Sequence, residues 1–261
     1  MASQGTCRLC LQERELRNSH LLPKSMYRLL RNDGFSNPNP FIHGEERGVQ
    51  TSKQAQQYLL CGECEQRFNK RGEAWVIAHC WRSVGEFRIQ EILFHSTPVH
   101  ENDELKIYAG ASIPELDMDK LVYFGASVFW RAAVCEWNLL SERVHIRLGV
   151  YAEELRRFLV DEATFPRNVV LHIGVSALSG TLDASLFPKS SRTKAGIHRH
   201  RFIIPGMYFT MLAGSQITDN ERLLCAAHSS GRHISVWYQA DREFLAGSAK
   251  KILRTIKQLR R

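Results

Sequence analysis

The sequence predicts an α+β protein, and three observations predict it. Two Cys-x-x-Cys pairs, Cys7/Cys10 and Cys61/Cys64, stand in the first quarter of the chain. A long stretch, Asp117 to Asn138, is apolar nearly all round, the pattern of a helix buried on every side. Runs rich in β-branched and aromatic residues, at Val169 to Val175, Arg201 to Leu212 and His233 to Gln239, read as strands. Together they divide the chain into a zinc-binding module over residues 1–72 and a larger mixed α+β domain over residues 73–261.

Each Cys-x-x-Cys turn can supply two sulfurs to one ion, and four thiolates suit tetrahedral Zn²⁺, so Cys7, Cys10, Cys61 and Cys64 are the candidate ligands. Such an ion closes a module that is too small to hold itself together by a core. Pro23 to Leu30 reads as a short helix stopped by Asn32-Asp33-Gly34, followed by a turn-rich stretch with Pro38, Pro40, Gly44 and Gly48. A second helix is expected near Cys64, with a restart after Gly72. Tyr151 to Val160 fits an amphipathic helix with Leu155, Phe158 and Leu159 inward. Lys189 to Arg201 holds cations and histidines without an acid and reads as a flexible basic loop. The last stretch, Glu243 to Arg261, reads as a helix with Leu245, Ala249, Ile252, Ile256 and Leu259 on one side and cations on the other.

With 261 residues, 44% of them hydrophobic and 24% charged, the chain has the composition of a folded protein and not of a disordered one. No apolar stretch reaches the roughly 18 residues a membrane span requires, and the start lacks a secretory signal pattern, so a soluble cytoplasmic protein is expected. An odd total of seven cysteines fits a reducing compartment, with Cys80, Cys135 and Cys225 as buried thiols. A net charge of +8 is compatible with a nucleic-acid partner.

The residues between the cysteine pairs narrow the reading. Cys-Arg-Leu-Cys, then Ser19-His20-Leu21-Leu22-Pro23-Lys24, then Cys-Gly-Glu-Cys-Glu-Gln-Arg-Phe-Asn-Lys resembles the HNH endonuclease family in its four-cysteine, treble-clef (ββα-metal) form, over about residues 7–71. The resemblance implies hydrolysis of phosphodiester bonds in DNA, with His20 as the general base that deprotonates water. It places Glu65 and Asn69 as ligands of a catalytic Mg²⁺ or Mn²⁺, beside the structural zinc. Their i, i+4 spacing puts both on one side of a helix. Ser19 falls where the family has a metal-binding Asp or His. The family's middle Asn has Asn37, Asn39 and His43 as its candidates. A role in defence, cutting invading DNA, is an extension of the same resemblance.

Several cations are candidates for phosphate contact: Lys24, Arg67, Lys70 and Arg71 around the site, with Arg17 and Arg28 nearby, and Arg192, Lys194 and Arg199 in the basic segment. Trp75, Trp81, Phe129, Trp130 and Trp137 fit core packing better than base stacking. The alternative function is a non-catalytic zinc-binding module that binds nucleic acid or a protein partner, and a homo-oligomer is compatible with either.

Overall fold

The computed structural model describes residues 3–31, 39, 41–43, 48–50, 52–83, 85–139, 142–177, 186–193, 195–228 and 230–238. Around the N-terminal cysteines, strands β1 (Ser3–Thr6) and β2 (Glu13–His20) form a hairpin whose turn carries Cys7 and Cys10. After α1 (Lys24–Leu29) and a small hairpin of β3 (Phe41–His43) and β4 (Gly48–Gln50), strand β5 (Gln56–Cys61) adds antiparallel to β2. β5 runs straight into α2 (Gly62–Phe68), a π-helical turn (Asn69–Glu73) and α3 (Ala74–His79). The expected restart after Gly72 is therefore a wide turn inside one continuous helical rod.

Gly72 explains why that rod lies where it does. A Cβ there would stand 2.9 Å from Phe124 N and 3.0 Å from Lys120 O, so only glycine lets the turn touch the backbone of α5 (Met118–Val134). Before α5 come α4 (Arg88–Phe94), β6 (His100–Glu101) and β7 (Leu105–Ala109). After it come the β8 (Trp137–Leu139) and β9 (Glu142–Val144) hairpin, α6 (Tyr151–Leu159), β10 (Val169–Ser176), β11 (Leu186–Arg192), β12 (His198–Ile204), β13 (Met207–Ala213), α7 (Asp219–Leu223) and β14 (His233–Trp237).

The architecture is mixed α+β. A seven-stranded sheet in the order β11-β12-β13-β10-β14-β7-β6 carries α5 on one face. Phe202 and Phe209 of the sheet meet Phe124 with ring centroids 6.0 and 5.4 Å apart, which identifies the face that α5 covers. The other side of α5 receives Phe68 against Tyr123 and Trp130. One apolar core thus runs from Cys7 and Leu9 through α5 to Val236, on both sides of residue 72.

Several expectations are corrected. The apolar helix ends at Val134, and Trp137 begins a strand because Cys135 is already extended. Arg201 to Leu212 is two strands, since Gly206 (φ +76°) turns the chain between Ile204 and Met207. The basic segment is not a loop but most of the β11–β12 hairpin. Its alternation was masked by charge: His200 and Phe202 are buried while Arg201 between them is exposed. Cys80 and Cys225 are fully buried, whereas Cys135 is half-exposed. Trp130, Trp137 and Phe129 are core residues, and Trp75 stacks on His79 at 3.8 Å. Asn32-Asp33-Gly34, Asn37 and the segment Glu243 to Arg261 lie outside the described residues. Among the described residues no helix is long and apolar enough to cross a membrane.

Candidate metal centre and adjoining cleft

The sulfurs of Cys7, Cys10, Cys61 and Cys64 all lie within 4.8 Å of one another, so residues far apart in sequence share one point. A tetrahedron with metal–sulfur bonds of about 2.3 Å has edges of roughly 3.8 Å. Cys10 Sγ and Cys61 Sγ are 4.0 Å apart. The donor set therefore fits a metal ion such as zinc. Cys61 N donates to Cys7 Sγ at 3.3 Å, and the turn is held by Leu11 N donating to Cys7 O at 2.9 Å, with Leu11 at φ 60°. The Cys64 thiol, with the backbone of Cys10, Cys61 and Leu9, pulls the Cys7 thiol down to about 4 against the effect of burial, which favours the thiolate that a metal needs.

β2 carries the chain from this centre to His20, and strand alternation decides what its last residues face. Ser19 is 1% exposed and points inward, where its Oγ accepts from Leu60 N at 3.2 Å and donates to Arg17 O at 3.4 Å. It ties β2 to β5 and does not face the cleft that His20 lines. His20, one residue on, lines a cleft of about 870 Å³ together with Glu65, Asn69 and Lys24. The structure thus brings the expected base and both expected oxygen ligands to one concave surface next to the cysteine cluster.

Each of these side chains has a defined setting. His20 Nε2 lies 2.7 Å from Gln54 Oε1 and 2.6 Å from Gln56 Nε2, and Gln56 Oε1 is taken by Asn18 Nδ2 at 3.0 Å. His20 Nε2 can donate to Gln54 Oε1 or accept from the Gln56 amide but not both, and the tautomer that donates to Gln54 keeps a lone pair on Nδ1. Burial pushes the His20 pKa below 6.5, partly offset by the Gln54 bond and the Glu65 charge. Glu65 Oε1 is buried and has no hydrogen-bond partner, an unusual state for a carboxylate oxygen.

The helical rod explains the common face. Four residues of α-helix overshoot a full turn by about 40°, so two such steps would swing a side chain well round the axis. The π turn absorbs that drift, and Glu65, Asn69, Glu73 and Ile77 all line the cleft.

Two cleft residues were missed from the sequence. Glu73 closes the floor, where burial raises its pKa against the lowering effect of Arg131. Arg131, from the middle of α5 and 1% exposed, donates from Nη2 to Glu73 Oε1 at 2.7 Å and from Nη1 to the His20 carbonyl at 2.8 Å. The available signal was an arginine in the apolar middle of the helix, which must be paired to be buried.

The expected phosphate contacts separate. Lys24 and Arg28 line the cleft, and neither has a carboxylate partner among the described residues. Arg67 and Arg71 instead both bind Asp161, Arg67 at 2.7 Å, while Arg71 also lies over the Tyr123 ring. Arg17 pairs with Glu15 at 3.1 Å, and Lys70 is exposed outside the cleft. Arg192 and Arg199 lie in the distant hairpin, and Lys194 is outside the described residues. Asn39 is not among the residues that line the cleft, the side chain of His43 lies outside the described residues, and the residue beside the His20 ring is Gln54. No known protein family, curated protein or solved structure matches the chain.

Proposed function

We propose that the protein is a metal-dependent endonuclease of the HNH type that hydrolyses phosphodiester bonds in DNA, on a treble-clef module closed by a structural zinc ion. The observation that carries the reading is the convergence of His20, Glu65 and Asn69 on one cleft beside four clustered cysteines. Glu65 and Asn69 present oxygen donors suited to Mg²⁺ or Mn²⁺, and the unpartnered Glu65 Oε1 marks where a cation would be held. When bound, that ion would offset charge developing on the phosphate and the leaving oxygen.

The chain's own residues supply the rest. His20, kept neutral by burial, takes the proton of the attacking water at Nδ1 while Gln54 holds Nε2–H. Arg131 fixes the backbone of His20 from below. Lys24 and Arg28, on the helix that follows the base, hold the phosphates to either side of the scissile bond.

Incubation of zinc-loaded protein with supercoiled plasmid and Mg²⁺ or Mn²⁺ tests this directly. Nicking is expected, falling by roughly 10² to 10⁴ in rate in His20→Ala. Absence of cleavage with either ion, or a His20→Ala protein as active as the wild type, overturns the enzyme. The structural use of Ser19 favours one other reading, a zinc module that binds without cutting, and its outcome is plasmid retardation with no nicking.

A further inference from the structure

The sheet face turned away from α5 belongs to no part of the site above, yet it concentrates chemistry. Phe202 and Phe209 point at α5, so their neighbours Arg201, Ile203, Tyr208 and Thr210 point the other way. Strand register then sets two rows across that face. One is Lys189, Arg201, Thr210 and His172; the next is Ile203, Tyr208, Gly174, Ser235 and Ile107. Between them lies a cleft of about 260 Å³ whose lining includes Arg201, Tyr208, Gly174 and Trp237.

We propose that this cleft binds a nucleoside phosphate, its base against the rings of Tyr208 and Trp237 and its phosphate at Arg201 and Lys189.

Five observations support the assignment. A Cβ on Gly174 would lie 3.2 Å from Trp237 Cδ1 and Nε1 and 3.5 Å from Tyr208 Cδ2, so glycine in mid-strand is what allows both rings to settle against the sheet. Trp237 Nε1 donates to Ser235 Oγ at 2.7 Å, which locks the indole in place. The Tyr208 hydroxyl is buried with no hydrogen-bond partner, a polar group left unsatisfied on a residue that lines the cleft. Lys189 stands directly across from Arg201, with Arg199 two residues along the same strand. Like charges so placed repel, and no carboxylate among the described residues pairs with any of the three. The volume is below that of a drug-sized pocket and suits a single nucleotide unit.

The nucleotide can be free or part of a bound strand. Titration of the full chain with uridine and adenosine 5′-monophosphates, and with a single-stranded DNA decamer, separates the two by tryptophan fluorescence. Saturable quenching that disappears in Trp237→Phe is expected. Saturation by a monophosphate alone identifies a free ligand, and saturation only by the decamer identifies a strand. Arg201→Gln should weaken binding about ten-fold and lower the salt dependence of binding by roughly 0.7 in log–log slope. Tyr208→Leu, which removes the aromatic ring, should weaken it several-fold. His20→Ala should bind as the wild type, so failure of the nuclease reading leaves this result intact. No quenching by any probe, equal binding in Arg201→Gln, or loss of binding in a folded His20→Ala protein overturns the inference.

Discussion

Arg131 and Glu73 meet at 2.7 Å with 1% and 11% of their side chains exposed, so removal of one partner leaves a charge buried and unpaired. Arg131→Met should cost about 3 to 5 kcal/mol by chemical denaturation. The double variant with Glu73→Gln should recover part of that loss, whereas a surface pair such as Arg88 with Glu91 should be nearly silent. His200 makes a second test. Its Nδ1 contacts Ser190 Oγ at 2.8 Å, its Nε2 has no partner, and burial pulls its pKa from 6.5 to about 4. The folded imidazole therefore holds its proton more weakly than the unfolded one. Stability is complete above pH 6.5 and is lost progressively as the pH falls toward about 4, by roughly 3 kcal/mol for this group. In His200→Gln the proton uptake on unfolding across that window should fall by about one, measured from thermal midpoints against pH.

At the scale of elements, the rod from Gly62 to His79 is the part that joins the cysteine centre to the rest of the molecule. Gly72→Ala would drive a methyl group into the α5 backbone at Phe124, and a loss of about 1 to 3 kcal/mol in stability is expected. Glycine at this position was visible in the sequence, and so was a helix after Cys64. The π turn was not, because nothing in Asn69-Lys-Arg-Gly-Glu73 distinguishes it from an ordinary helical stretch or break. The cysteine pairs were legible because the metal chemistry fixes both residue type and spacing, and His20 because it stands in a recognisable string. Gln54, Gln56, Glu73 and Arg131 were not, since they reach the site only through strand pairing and helix packing across the chain. The β11–β12 hairpin was misread because its outward residues are cations and its inward ones include His200, so alternation did not show as apolar against polar.

At the scale of the whole molecule, the four sulfurs hold the turn between β1 and β2 against the junction of β5 and α2, and β2 and α2 are the elements that carry His20 and Glu65. A strong zinc chelator should therefore do more than extract an ion. It should release the β2–β5 pairing, seen as lost amide protection in both strands, while the core around α5 and the seven-stranded sheet keeps its own. Cys64→Ser should produce the same pattern without chelator. Paramagnetic broadening by Mn²⁺, followed on the His20 ring protons of the zinc-loaded protein, tests the central geometry most directly. Selective broadening at His20 by sub-stoichiometric Mn²⁺, abolished in Glu65→Gln, is expected. A His20 resonance that stays sharp while Mn²⁺ saturates the protein would contradict it.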